Sequence, residues 1–278
     1  MSATTESLIE LIIKKTNVDL SKYDSIFFDN SIRKNISHAG CKSLSEYQLL
    51  LEKSTSEIDN FLDSLQINYS EFFRNSLTYS VLEKIIFPRL FHKKESSNQR
   101  EIRIWSAACA TGQEAYSLAI LLAEQNNSQV TFRIFATDQS DKQIEIAKKG
   151  IYSISTLNLV TLKRLDNWFL FNGKNYAIRD EIKANIEFST FDLLNDVHMC
   201  PPSSIFGDFD IVFCANLLFY YKPEFRNEII RKISKTLSSE GLIITGEAEK
   251  ELFLQHHFEE IYPGSGILKK NNSGHKNI

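Results

Sequence analysis

The chain has 278 residues, enough for one large domain or two modest ones around a real core. With 42% hydrophobic and 24% charged residues its composition is that of an ordinary globular protein, and a net charge of −3 argues against a broad nucleic-acid surface. Its four cysteines, Cys41, Cys109, Cys200 and Cys214, form no CxxC pair and no Cys/His metal spacing, and there is no signal-peptide pattern and no apolar run of about 18 residues, so neither a metal nor membrane insertion is expected and the expected compartment is the cytoplasm.

The first part of the chain reads as helices. "SLIELIIKKT" carries apolar residues at positions 8, 9, 11, 12 and 13, one crowded helical face. "SLSEYQLLLEKS" opens with Ser43 or Ser45 as a candidate N-cap. "EIDNFLDSLQI" repeats Ile58, Phe61, Leu62 and Leu65 at helical spacing. "NYSEFFRNS" sets Arg74 beside two phenylalanines, and "SVLEKIIFPRL" follows, with a stop or kink expected at Pro88. The polar stretch "HKKESSNQR" marks a divide, so residues 1–91 are expected to form a helical N-terminal domain with a linker helix.

Beyond it strands and helices alternate. "EIRIWSA", "TFRIFATD", "FDIVFCAN" and "LIITGE" read as strands, and "GQEAYSLAILLAEQ", "SDKQIEIAKKG" and "KPEFRNEIIRKISKTLSSEG" as helices. That alternation predicts an α/β fold with a doubly wound, mostly parallel sheet over residues 92–278. "WFLFNGKNYAIRDEI" interrupts the pattern with an Asn-Gly turn between apolar runs, which predicts a β-hairpin and an inserted antiparallel subdomain at about 160–190. The tail, residues 271–278, is expected to be disordered.

In such a sheet ligands bind beyond the carboxyl ends of the strands. The first strand leads into "SAACATGQE", whose small residues admit a ligand close to the backbone but which lacks the three glycines of a dinucleotide loop. Glu114 there could complete a capping box with Thr111 or face a cationic ligand. Asp138 ends the second strand, where an acidic residue accepts ribose hydroxyls or, alternatively, caps the next helix. Asp192 and Asn216 stand at further strand ends, as ligand contacts or as turn and cap residues. Four polar residues with no phosphate grip outline a nucleoside pocket, which suits S-adenosylmethionine.

Taken in order, "NYSEFFR", "IRIWSAACATGQEAYSLAILL", "ATDQSDKQIEIAKKGIYS" and "FDIVFCANLLFYYKPEFRNEIIRKISKTLSSEGLIITGEAE" resemble the motifs of the CheR-type chemotaxis methyltransferases, the chemoreceptor glutamate O-methyltransferases. The resemblance runs from about Leu8 to about Leu268. It implies a class I S-adenosylmethionine-dependent methyltransferase domain with an inserted β-subdomain, preceded by a small helical domain. It also implies methyl transfer from S-adenosylmethionine to glutamate side chains on the cytoplasmic helices of chemoreceptors, by a monomer. Asn68, Ser70 and Arg74 fall on the family's N-x-[TS]-x-F-F-R segment, with Arg74 matching the arginine that positions substrate. Glu114 and Asp138 match its cofactor-binding acids, and Asp192 and Leu193 its Asn-Leu pair. Ala215 and Asn216 fall on its Arg-Asn pair, and Tyr220 on the tyrosine of its following loop. Ala215 departs from the family by lacking a guanidinium, and "FFDNSIRKNISHAG" offers only Arg33 and Lys34 where the family often has an arginine-rich helix. Two other readings follow: a CheR-like S-adenosylmethionine-binding regulatory module with little turnover, and a small-molecule class I methyltransferase.

A glutamate nucleophile is ionised at neutral pH, with a reference pKa of about 4.3, so the chemistry needs no general base. Alignment and exclusion of water are what remain for the site to supply. Arg74 and Tyr220 are the candidates for orienting the carboxylate; their alternatives are a surface arginine and a core aromatic.

Overall fold

A computed structural model describes residues 3–16, 18–65, 70–97, 99–125, 129–195 and 197–271. Asn68 and all of the expected disordered tail except Asn271 lie outside the described residues. The chain divides into two compact units, residues 1–67 with 217–227, and residues 68–216 with 228–278.

The smaller unit holds four helices: α1 (Ala3–Thr16), α2 (Ser25–His38), α3 (Leu44–Lys53) and α4 (Thr55–Leu65). Local chemistry starts two of them. The Asp24 side chain accepts the Ile26 and Phe27 N–H groups at the head of α2, and Ser43 accepts that of Glu46 at the head of α3. The expected 3/4 repeat buries Ile58, Phe61 and Leu65 completely, and Leu8, Ile12, Phe28, Tyr47 and Leu51 are buried in the same unit. Phe61 receives the edge of Phe28 at 5.7 Å and leans on Tyr47 at 6.3 Å. Residues 217–227 join this unit through a bridge between Tyr23 and Tyr221, whose rings stack at 5.6 Å, and an ion pair of Arg226 with Asp24 at 3.2 Å.

The larger unit opens with α5 (Ser76–Val81) and α6 (Phe87–Ser96), joined without a break by a wider π turn, Leu82–Ile86. The helix does not stop at Pro88. Proline lacks an N–H and crowds the carbonyl four residues back, and the widened turn lets the chain pass. There the Phe87 N–H bonds to Leu82 O, five residues back, and Pro88 sits in the first turn of α6, where no N–H is needed.

Alternation then follows as expected: β1 (Glu101–Ser106), α7 (Gln113–Gln125), β2 (Thr131–Asp138), α8 (Asp141–Lys149) and the short β3 (Ile151–Ser153). Next come α9 (Leu162–Trp168), β4 (Phe169–Phe171), β5 (Asn175–Ile178), α10 (Asp180–Lys183) and β6 (Ile186–Thr190). The chain closes with β7 (Phe209–Phe213), α11 (Pro223–Thr236), β8 (Leu237–Ile244), α12 (Lys250–Leu254), β9 (Phe258–Glu260) and β10 (Ile267–Lys270). The main sheet runs β6-β2-β1-β7-β8-β10-β9. Strands β6 to β8 in that order are parallel, and β10 lies antiparallel to both of its neighbours, β8 and β9. The expected helix through "KTLSSEG" stops earlier, at Thr236: Leu237 pairs with Phe209 across an irregularity, and Gly241 leaves room for the Phe209 carbonyl, which a Cβ would meet at 2.7 Å. The expected hairpin is β4 and β5, turning through Gly173 at φ +90° with β3 on its other side. No helix among the described residues is long and apolar enough to cross a membrane.

Phe61→Ala removes the aromatic at the centre of the helical unit and is expected to destabilise that unit by about 3–5 kcal/mol in chemical denaturation followed by circular dichroism. A loss below about 1 kcal/mol would place the unit's core elsewhere.

Candidate active site

Strand order reverses at β1, with β2 on one side and β7 on the other, so the carboxyl ends of β1 and β7 border the switch point where open α/β sheets bind ligands. Backbone hydrogen bonds stitch these ends together. Ala107 N–H bonds to Phe213 O at 2.8 Å, Cys109 N–H to Thr137 O at 2.8 Å, and Phe191 N–H to Asp138 O at 2.9 Å. Cys214 N–H reaches Ile244 O at 2.9 Å. The loop after β1 is tight. Gly112 sits at φ +92°, and a Cβ there would meet that of Ala147 at 2.9 Å and the Tyr152 hydroxyl at 3.2 Å.

Glu114 lies in the first turn of α7, and its carboxylate accepts the Ser106 hydroxyl at 2.6 Å. The capping-box alternative does not form: Thr111 precedes the helix by two residues and gives its hydroxyl to the Gln113 side chain at 2.7 Å. Burial pushes the Glu114 carboxyl up to about 8, against the lowering effects of the Ser106 hydrogen bond and the Arg74 guanidinium; the Glu249 carboxylate adds to the rise. Glu114 keeps part of its surface accessible, which leaves an approach for a cation.

Asp138 ends β2. Its carboxylate accepts the Ala110 N–H and the Ser140 N–H, each at 3.0 Å, which fixes the strained Ala110 at φ +46°. Burial raises its carboxyl and these backbone bonds oppose the rise. The cap alternative for Asp138 fails because Ser140 caps α8 through its hydroxyl. Asp192 follows β6 and accepts the Leu194 N–H at 2.9 Å in a turn, and Leu193 beside it is buried. Ala215, partly buried against the core, and Asn216 follow β7.

Asn216 has φ +60°, and its N–H donates to Glu249 Oε2 at 2.6 Å. Glu249 is fully buried and is a participant that the motifs did not single out; the signal was a second acid in "GEAE" just past a strand end. Gly246 makes room, since a Cβ there would stand 2.8 Å from the Asn216 amide nitrogen. Ser106 was likewise missed, because a serine inside a strand announces no partner.

The same unit carries Ser70 and Arg74. Arg74 is exposed, yet close enough for its charge to act on Glu114. Thus Arg74, Glu114, Asp138, Asp192, Leu193, Ala215 and Asn216 belong to one unit, with Glu114 in the first turn of α7 and the last five at or just beyond strand ends. Tyr220 belongs to the helical unit, on a short turn, Leu218–Tyr220, where its ring meets Phe27 at 4.7 Å and Phe219 at 4.1 Å.

Glu114 makes the larger unit's stability pH-dependent. Its folded pKa stands above the ordinary 4.5, so between about 4.5 and about 8 the folded chain holds a proton that the unfolded chain has released, and stability falls as pH rises through that window. Glu114→Gln is expected to raise the thermal midpoint of the cofactor-free unit at about pH 9, by roughly 2–4 °C for each kcal/mol relieved, and to change little at about pH 5. Equal midpoints at the higher pH would contradict this placement of the charge.

The family model for the S-adenosylmethionine-binding domain of CheR methyltransferases matches residues 68–264, and that for their all-alpha domain matches residues 3–65. The chain is 28% identical over 248 residues to a chemotaxis protein methyltransferase of Borreliella burgdorferi, covering 87% of this chain and 86% of that one. It is 28% identical over 270 residues to chemotaxis protein methyltransferase 1 of Pseudomonas aeruginosa, covering 94% and 95%. The chemotaxis protein methyltransferase of Escherichia coli is 27% identical over 256 residues, with 90% and 85% covered. This chain, with a class I methyltransferase fold and S-adenosylmethionine as its cofactor, belongs to the CheR methyltransferase family.

Proposed function

We propose that the chain methylates glutamate side chains on the cytoplasmic helices of chemoreceptors, forming methyl esters from a position in the cytoplasm. The observation that carries this reading is the exposed Arg74 guanidinium within electrostatic reach of a half-buried carboxylate, Glu114, at the switch point of the sheet. A cation at the pocket wall can receive an incoming carboxylate, while the half-buried acid awaits a cation of its own. The strand-end residues fit S-adenosylmethionine. Glu114 would face its cationic amino-acid end, and Asp138, whose carboxylate is oriented by backbone N–H groups of the neighbouring loops, would accept ribose hydroxyls. Asp192, Leu193, Ala215, Asn216 and Ser70 would line the rest, and the Gly112 turn permits close approach.

Bound S-adenosylmethionine supplies an electrophilic methyl group on a sulfonium. The work of this chain is then positional. Arg74 would hold the substrate carboxylate. No residue need remove a proton, because the nucleophile is already ionised. The hold must stay moderate, since the carboxylate charge disappears as the ester forms and a tighter ground-state grip would raise the barrier. Ala215 and the sparse charge of α2, where Arg33 and Lys34 are exposed, support a second reading, a cofactor-binding regulatory module with little turnover.

Incubation of the full chain with tritiated S-adenosylmethionine and receptor-bearing membranes is expected to leave base-labile label on the receptor. Cofactor binding without such label would favour the regulatory module. Arg74→Ala is expected to slow transfer by roughly 30-fold to 1,000-fold, the loss of a charge-assisted contact worth ~2–4 kcal/mol. Unchanged turnover would remove Arg74 from the role given to it.

A further inference from the structure

Arg74 follows a residue in an unusual conformation. Phe73 is 5% exposed and has φ +52°, a left-handed backbone that a bulky aromatic rarely adopts. Such strain persists only where the surroundings over-determine it. Here several contacts converge. The Phe73 N–H donates to Ser117 Oγ on α7 at 3.1 Å, and its ring meets Tyr79 on α5 edge-to-face at 5.3 Å. Its neighbour Phe72 is fully buried, edge-on to Tyr152 of β3 at 4.9 Å and to Phe169 of β4 at 5.5 Å.

The remaining contact is a cation. The Arg164 guanidinium, on α9, lies over the Phe73 ring with its central carbon 4.8 Å from the centroid. It is itself clamped: Nη2 bonds to Glu83 Oε1 on the π turn at 2.9 Å and to Glu124 Oε2 on α7 at 2.8 Å, and Nε reaches Glu124 Oε2 at 3.0 Å. Glu124 is further held by the Trp168 indole N–H at 3.1 Å. The Arg164 side chain is only 14% exposed, so its attraction to the ring is little weakened by water. A planar fork can satisfy two carboxylates and stack on a ring at once, whereas an ammonium cannot.

We propose that Arg164 is a positioning residue for the transfer step. Stacked on Phe73 and clamped by Glu83 and Glu124, it holds the left-handed backbone from which Arg74 projects. Relaxing φ at Phe73 into the ordinary negative region would swing the following residue away from the strand ends. Arg164 thereby ties the inserted antiparallel subdomain, through α9, to the residue proposed to receive substrate. The inference rests on the reading of Arg74 given above.

Arg164→Lys in the full chain tests it, because charge is kept while the fork and the stack are lost. Amide hydrogen exchange at Phe73 and Arg74 is expected to speed up by about tenfold or more, with kcat on receptor-bearing membranes falling by a similar factor and the KM for S-adenosylmethionine moving less than about threefold. A purely structural ion pair would instead lower the thermal midpoint and leave both the local exchange pattern and kcat of the folded fraction untouched. Unchanged kcat in Arg164→Lys, with or without faster exchange, overturns the inference if Arg74→Ala is inactive. Full activity of Arg74→Ala overturns the reading beneath it, and the inference falls with that reading.

Discussion

A carboxylate that the fold cannot fully solvate sits at the head of α7. Glu114 has one hydroxyl from Ser106, a second buried acid, Glu249, within electrostatic reach, and the Arg74 charge as an opposing influence. Parallel topology creates this condition. Strand ends drawn together by backbone bonds give acids placed just beyond them little water to share. Such a carboxyl either keeps a proton or finds a cation. A cofactor that carries positive charge and no phosphate is the complement to that condition, and the absence of a glycine-rich phosphate cradle is the same fact seen from the backbone.

The other half of the site is held by aromatic packing rather than by charge. Phe72 is locked among Tyr152 and Phe169, and Phe73 between Tyr79 and Arg164, so the inserted subdomain backs the segment that presents Arg74. The two halves serve one purpose. One creates an electrostatic demand at the strand ends, and the other holds the segment that carries the exposed Arg74. Ala215 fits this arrangement, since its small side chain packs against the core.

Much of this was legible from sequence. Alternating apolar runs announced the parallel sheet, Asn172-Gly173 announced the hairpin, and acids at strand ends marked the pocket, because each signal is local. What escaped depends on partners distant in the chain. Glu249 acquires its role only when the ends of β7 and β8 come together, and an acid is not unusual where it stands. The cap alternatives for Glu114 and Asp138 failed because the helices begin further along than those caps require, at Gln113 and after Ser140. Pro88 predicted a break that a π turn absorbed. The positive φ of Phe73 could not be foreseen, since it is imposed by neighbours from α5, α7 and α9.

Calorimetric titration of S-adenosylmethionine into the full chain, repeated at about pH 7 in two buffers of different ionisation enthalpy, tests the central claim most directly. If Glu114 holds a proton until a cation arrives, binding should release a fraction of a proton approaching one per site, and Glu114→Gln should abolish that release. Identical heats in the two buffers for the unsubstituted chain would show that no proton leaves, and would contradict the account.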